Sequence, residues 1–233
     1  MPAQRRSHSA KPRPLRPRPF PTPEYGPGGS STAIFSTTIA APPPVCLAVI
    51  LDPSTYPTWN KWIPRVVVET PAPASAVDEV PAPLAQLLTS SDAAAADRAN
   101  LLLLGAKFYF EVHMDPDSAS SRKTYLELTR LEEFVRGDDD DDGKQKKGIR
   151  VVWKTQGDPW HVRAERVQEF VEDGQGGCEY YNYETFHGAL AWTVRRFVAG
   201  QLSNGLGLWM EGLKREAEAR AAAASSASTT AAA

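Results

Sequence analysis

The chain has 233 residues, 42% of them hydrophobic, which is enough for one domain with a sizeable core and flanking tails. Its 26 basic and 28 acidic side chains leave a formal net charge of -2, so no global charge draws it to nucleic acid or a membrane. Cys46 and Cys178 are too few for a disulfide framework or a Cys-rich metal site; no apolar run reaches the roughly 18 residues that cross a bilayer, and no secretory apolar core opens the sequence. These features predict a soluble, cytoplasmic monomer without metal, cofactor or stable membrane insertion.

Residues 1–32 alternate prolines (Pro12, Pro14, Pro17, Pro19, Pro21, Pro23) with arginines, and read as a disordered basic tail. An Arg-rich start also suits a mitochondrial transit peptide, the alternative location, although the proline spacing forbids the amphipathic helix such peptides need. Folded signals begin at Ala33–Ala40, where Phe35 and Ile39 alternate with Ser and Thr as in a half-buried strand. Prolines 42–44 then prime a short helix over Val45–Leu51, stopped by Asp52 and Pro53, and a second short helix is predicted over Tyr56–Trp62. Trp59 and Trp62 fall one turn apart on it. Arg65–Thr70 reads as strand again.

Residues 71–100 have no strand pattern and read as an insertion with a short helix near Leu84–Leu88. Strand signals then come in series at Lys107–Met114, Lys123–Phe134, Ile149–Lys154, His161–Glu172 and Cys178–His187. The loop at 137–147 holds five consecutive aspartates. It reads as a solvated hairpin tip, because the ligand spacing of a calcium loop is absent. From Leu190 to Ala219 an amphipathic helix is predicted, with Leu190, Val194, Phe197, Val198, Leu202, Trp209 and Leu213 on its apolar stripe. Gly200, Gly205, Gly207 and Gly212 interrupt it at about 1 kcal/mol each relative to Ala, which suggests a close backbone approach or a bend. Residues 221–233 are Ala, Ser and Thr only and are predicted to fray, leaving 33–220 as the domain.

The order strand, two short helices, six antiparallel strands and long helix is that of an α+β helix-grip fold: a curved seven-stranded antiparallel sheet wrapped around a C-terminal helix. Three stretches resemble the SRPBCC (START-like) superfamily: Phe35–Trp62 (FSTTIAAPPPVCLAVILDPSTYPTWNKW), Arg163–Ala191 (RAERVQEFVEDGQGGCEYYNYETFHGALA) and Leu206–Glu216 (LGLWMEGLKRE). The nearer resemblance is to fungal polyketide cyclase/dehydrase-like or coenzyme Q-binding START-like proteins. It implies an internal cavity for a lipid, quinone or polyketide-like molecule. The fold itself implies no reaction, so no catalytic residue is assigned.

Candidate site residues follow from strand alternation. Centring the 162–187 hairpin on Gln175 pairs Phe170 with Tyr180, Gln168 with Asn182 and Arg166 with Glu184, all facing the long helix, while Arg163, Glu165, Glu169, Glu179 and His187 face solvent. Arg166 and Glu184 are expected to form a cross-strand charge pair, either structural or holding a polar group of the ligand, with Tyr180 and Asn182 beside them. Trp59, Trp62, Phe108, Phe110, Trp153, Phe186 and Trp209 are the candidate aromatic wall, each of them also consistent with ordinary core packing. His113 is expected to face solvent, and His161 and His187 lack partners for a metal or nucleophilic site.

Overall fold

The computed structural model describes residues 9–16, 18–89, 99–115, 120–137 and 145–231. One antiparallel sheet runs in the order β1 (Ser9–Arg16), β2 (Ser31–Ile39), β8 (Cys178–His187), β7 (Arg163–Glu172), β6 (Gln145–Thr155), β5 (Arg122–Gly137), β4 (Lys107–Val112) and β3 (Arg65–Thr70). Strands β2 to β8 are the seven expected strands. A register shift between Leu128 and Arg130 marks a bulge in β5, the kind of irregularity that bends and curls a sheet. The glycines at 174 and 176 have φ of 76° and 90°, left-handed values that let the β7–β8 turn close. Asp173 Oδ1 accepts from the Gln175 and Gly177 amides inside that turn, at 2.7 and 2.9 Å.

Between β2 and β3 lie α1 (Pro43–Leu51), a 3₁₀ turn at Pro53–Thr55 and α2 (Tyr56–Trp59). Asp52 caps the 3₁₀ turn by accepting from the Ser54 amide. Asn60 Oδ1 ends the segment by accepting from the backbone of Trp62 and Ile63 at 3.1 and 2.9 Å. The 71–100 region carries a 3₁₀ turn at Ala74–Val77 and α3 (Ala82–Thr89), whose Leu84 is fully buried in the main core. Residues 116–119 and the acidic run at 138–142 lie outside the described residues.

The last helix starts with a π turn at Val194–Val198 and continues as α4 (Ala199–Ala231). Leu202, Trp209 and Leu213 are buried as expected, but Leu190 is 43% and Phe197 69% exposed. Two facts explain the departure: Phe197 stands five residues before Leu202, off the 3.6-residue period, and the wider π turn does not carry the stripe's phase through. The helix also continues beyond residue 220, where fraying was expected, because alanine has the best intrinsic helix propensity. Ser225 and Ser226 donate to the carbonyls four residues back. Lys214 Nζ donates to the Thr38 carbonyl and Glu218 accepts from the Ala40 amide at 2.8 Å, tying α4 to the end of β2.

Residues 9–30 differ most from expectation. Instead of a disordered tail, residues 9–16 pair with β2 as the sheet's edge strand, the position in which prolines are tolerated. Residues 18–30 then cross the face of the sheet away from α4. There Phe20 packs with Ile34 on Val152, Val167 and Tyr183, a second small core. The face predicted as solvent is therefore covered: Glu165, Glu169 and His187 are all buried. Each buried carboxylate is compensated. Glu165 accepts from the amides of Glu24 and Tyr25 at 3.0 Å, and Glu169 from Arg136 and from Arg150 at 2.9 Å.

Candidate ligand-binding site

The main core lies between the other face of the sheet and α4, and its centre is aromatic. Alternation along β4 turns Phe108 and Phe110 inward, 5.3 Å apart, and Trp153 of β6 meets both edge-on at 6.1 and 5.6 Å. Trp59 of α2 and Trp209 of α4 close the cluster at 5.3 Å from each other. Tyr56 stands 4.8 Å from Trp59 and 5.8 Å from Trp209, with its hydroxyl donating to the Ile50 carbonyl. Helix α4 reaches these rings through its glycines: a methyl group on Gly205 would fall 2.2 Å from the Trp62 indole. That glycine permits a close backbone approach and leaves no gap of its own.

A buried polar network is set into this apolar surface. Arg166 Nε donates to Asn182 Oδ1 (3.2 Å), Asn182 Nδ2 to Gln168 Oε1 (3.1 Å), and Trp209 Nε1 to the Tyr180 hydroxyl (3.1 Å), which itself donates to Gln168 Oε1. Burial pushes the Tyr180 hydroxyl up to about 12, partly countered by the Arg166 charge, so it stays a neutral donor. The Arg166 guanidinium lies 4.2 Å over Trp209, 5.7 Å from Trp153 and 6.0 Å from Trp62, inside a box of three indoles. Its Nη2, and Nε1 of Trp62, are buried donors without a hydrogen-bond partner.

The hairpin register is the expected one: Arg166 opposite Glu184, Gln168 opposite Asn182 and Phe170 opposite Tyr180. The charge pair expected from it does not close. No ion pair joins Arg166 to Glu184 among the described residues, because the guanidinium turns toward Asn182 and Trp209. Glu184 is half-buried on the inner face of β8, beside the buried Phe186 and opposite Arg166. Desolvation raises its pKa above the ordinary carboxylate value, and Arg166 offsets this only in part.

The structure thus brings Trp59, Phe108, Phe110, Trp153 and Trp209 into one cluster, sets Trp62 against α4 beside Arg166, and joins Arg166, Tyr180 and Asn182 in one network. Phe186 is buried on the same face of β8, two residues from Glu184. Two participants stand outside the set selected from sequence. Gln168 shares the inward alternation of Arg166, and Tyr56 precedes Trp59 by one helical turn; both signals are readable in the sequence. A separate groove of about 290 Å³ opens between the start of α1, α3 and the β5–β6 hairpin, lined by Pro43, Pro83, Phe134 and Lys147. It contains none of the network residues.

No family model and no curated protein sequence matches the chain. Among solved structures it is similar to a hypothetical protein from Helicobacter pylori, with a TM-score of 0.50 and 11% identity over 80% of this chain and 86% of that one. It is also similar to human STARD10 (TM-score 0.46, 7% identity, 80% of this chain and 63% of that one) and to a START superfamily protein from Mycobacterium smegmatis (TM-score 0.45, 12% identity, 82% and 96%). With its antiparallel sheet, paired short helices and long closing helix, this chain has a helix-grip fold.

Proposed function

We propose that the protein binds a hydrophobic small molecule of the lipid, quinone or polyketide-like class, with a carbonyl or carboxylate end held by Arg166 and Trp62. One observation carries this reading: three buried donors on the inner face, Arg166 Nη2, Trp62 Nε1 and Gln168 Nε2, have no partner. Each unmet buried donor costs about 1–3 kcal/mol, more where it is charged, and an acceptor on a ligand removes that cost. The aromatic cluster supplies apolar area beside them, and Glu184 offers an acceptor or a donor according to its protonation. Native mass spectrometry of the protein purified from its own host would identify a retained molecule. With carboxylate-bearing and methyl-ester forms of one fluorescent fatty-acid probe, Arg166→Met should weaken the acid form at least tenfold and the ester far less. Equal loss for both forms, or none, sinks the assignment.

A second reading, a polyketide cyclase-like enzyme, is favoured by Glu184. Burial keeps its carboxyl protonated to higher pH than usual, the property required of a general acid beside a bound carbonyl. Turnover of a poly-β-keto thioester that disappears in Glu184→Gln while probe binding persists would support it; unchanged turnover in that variant would exclude it.

A further inference from the structure

Among the described residues eight large apolar side chains are exposed, and four of them are gathered in two adjoining segments: Trp160 (72%), Leu190 (43%), Trp192 (51%) and Phe197 (69%). The segments are joined through the backbone, with Ala189 N donating to the Trp160 carbonyl at 3.1 Å and Leu190 N to the His161 carbonyl at 2.8 Å. The Trp192 and Phe197 rings lie 6.5 Å apart. Such a concentration of exposed aromatic surface marks an interaction site rather than scattered apolar residues.

The charges around the patch select the partner. Between Glu184 and Glu211 the sequence contains no carboxylate, and within that stretch Arg195 and Arg196 are exposed on the π turn, Arg196 5.3 Å over the Phe197 ring. The nearest acidic side chain on the adjoining loop, Asp158, is already engaged by Lys154 and the Tyr25 hydroxyl. Tryptophans with adjacent arginines suit the headgroup zone of a bilayer, where the ring buries its body and the cation meets lipid phosphates and carboxylates. No described helix is long and apolar enough to cross a membrane, so contact of this kind is peripheral. We infer that the face formed by Trp160, Leu190, Trp192 and Phe197, flanked by Arg195 and Arg196, docks on an anionic lipid surface. Because the same helix continues into Leu202, Leu206 and Trp209, docking sets the bilayer at the end of the element that covers the proposed site.

Co-sedimentation of the full chain with phosphatidylcholine vesicles, with and without phosphatidylserine, tests this at low and high salt. Binding should require phosphatidylserine and weaken with salt. Trp192→Ser with Phe197→Ser should lower partitioning at least tenfold, Arg195→Gln and Arg196→Gln about fivefold each, and Trp160→Ser should weaken it from the other segment. Thermal melts of each variant separate lost docking from lost folding. No sedimentation with anionic vesicles at low salt, or equal sedimentation of folded variants, overturns the inference. So does self-association that these substitutions abolish in the absence of vesicle binding. Binding of the fatty-acid probe in solution should persist in all these variants, so failure here is distinct from failure of the ligand reading.

Discussion

Gly212 of α4 faces the backbone carbonyl of Trp59 so closely that a methyl group on its Cα would lie 2.1 Å from that oxygen. Gly200, on the same helix, has nothing within 4 Å of that position. Both glycines cost the isolated helix about 1 kcal/mol relative to alanine, so the two substitutions should act in opposite directions. Gly200→Ala should leave stability unchanged or raise it by up to about 1 kcal/mol, while Gly212→Ala should lower it by about 2 kcal/mol because backbone must move. Urea denaturation of the two variants measures this; a stabilised Gly212→Ala would mean that α4 does not lie against α2.

Glu184 should make stability fall as pH rises. Below the ordinary carboxyl value of 4.5 the group is neutral in both folded and unfolded chains, so it imposes no penalty. At higher pH the unfolded chain ionises first, and the stability attached to the neutral buried form is lost as pH passes through the raised folded value. Glu184→Gln cannot ionise. Relative to that variant, wild type should therefore lose stability from acid to neutral pH, and parallel stability curves across this range would refute the burial of the carboxyl.

Arg166→Met should change stability by no more than about 1 kcal/mol, because a hydrophobe of similar length replaces a buried cation that lacks both a closed ion pair and one hydrogen bond. The same change removes the charge that pulls the Glu184 pKa downward, so the ionisation of Glu184 should move further up. An isotope-resolved carboxyl titration of both proteins reads this directly. A severe loss of stability would show that the stacking on Trp209 and the bond to Asn182 matter more than the charge's desolvation.

Deleting residues 1–30 should destabilise the fold. It removes the two amides that hold the Glu165 carboxylate and uncovers Val152, Val167 and Tyr183. A loss of about 1.5–3 kcal/mol is expected from the lost burial of Phe20 alone, while water solvates the uncovered Glu165 carboxylate. An unchanged denaturation midpoint in the truncated chain would mean that this segment does not dock in solution.

Much of the fold could be read because its signals are local. Strand alternation, the prolines opening α1 and the Gly174–Gly177 turn each depend on neighbouring residues, and the turn alone sufficed to set Arg166 opposite Glu184. What could not be read were relations between distant segments. Nothing near Glu165 announces that amides of Glu24 and Tyr25 will cover it, and the proline spacing around Phe20 looks like a tail until a sheet edge is available. Phe197 departs from the apolar stripe because it stands five residues before Leu202, off the 3.6-residue period, in a turn that is π-helical. The Arg166–Glu184 pair failed for a related reason: register brings two residues opposite, but three indoles from separate elements decide where the guanidinium turns.

The prolines of β1 affect how one copy meets another. Pro12 and Pro14 lie in β1, at the edge of the sheet, and neither carries an amide hydrogen. Prolines are tolerated on an edge strand, and a foreign strand approaching it finds fewer donors than a sheet edge otherwise offers. The segment that covers one face of the sheet thereby also terminates it, restricting the growth of sheets between molecules from this side.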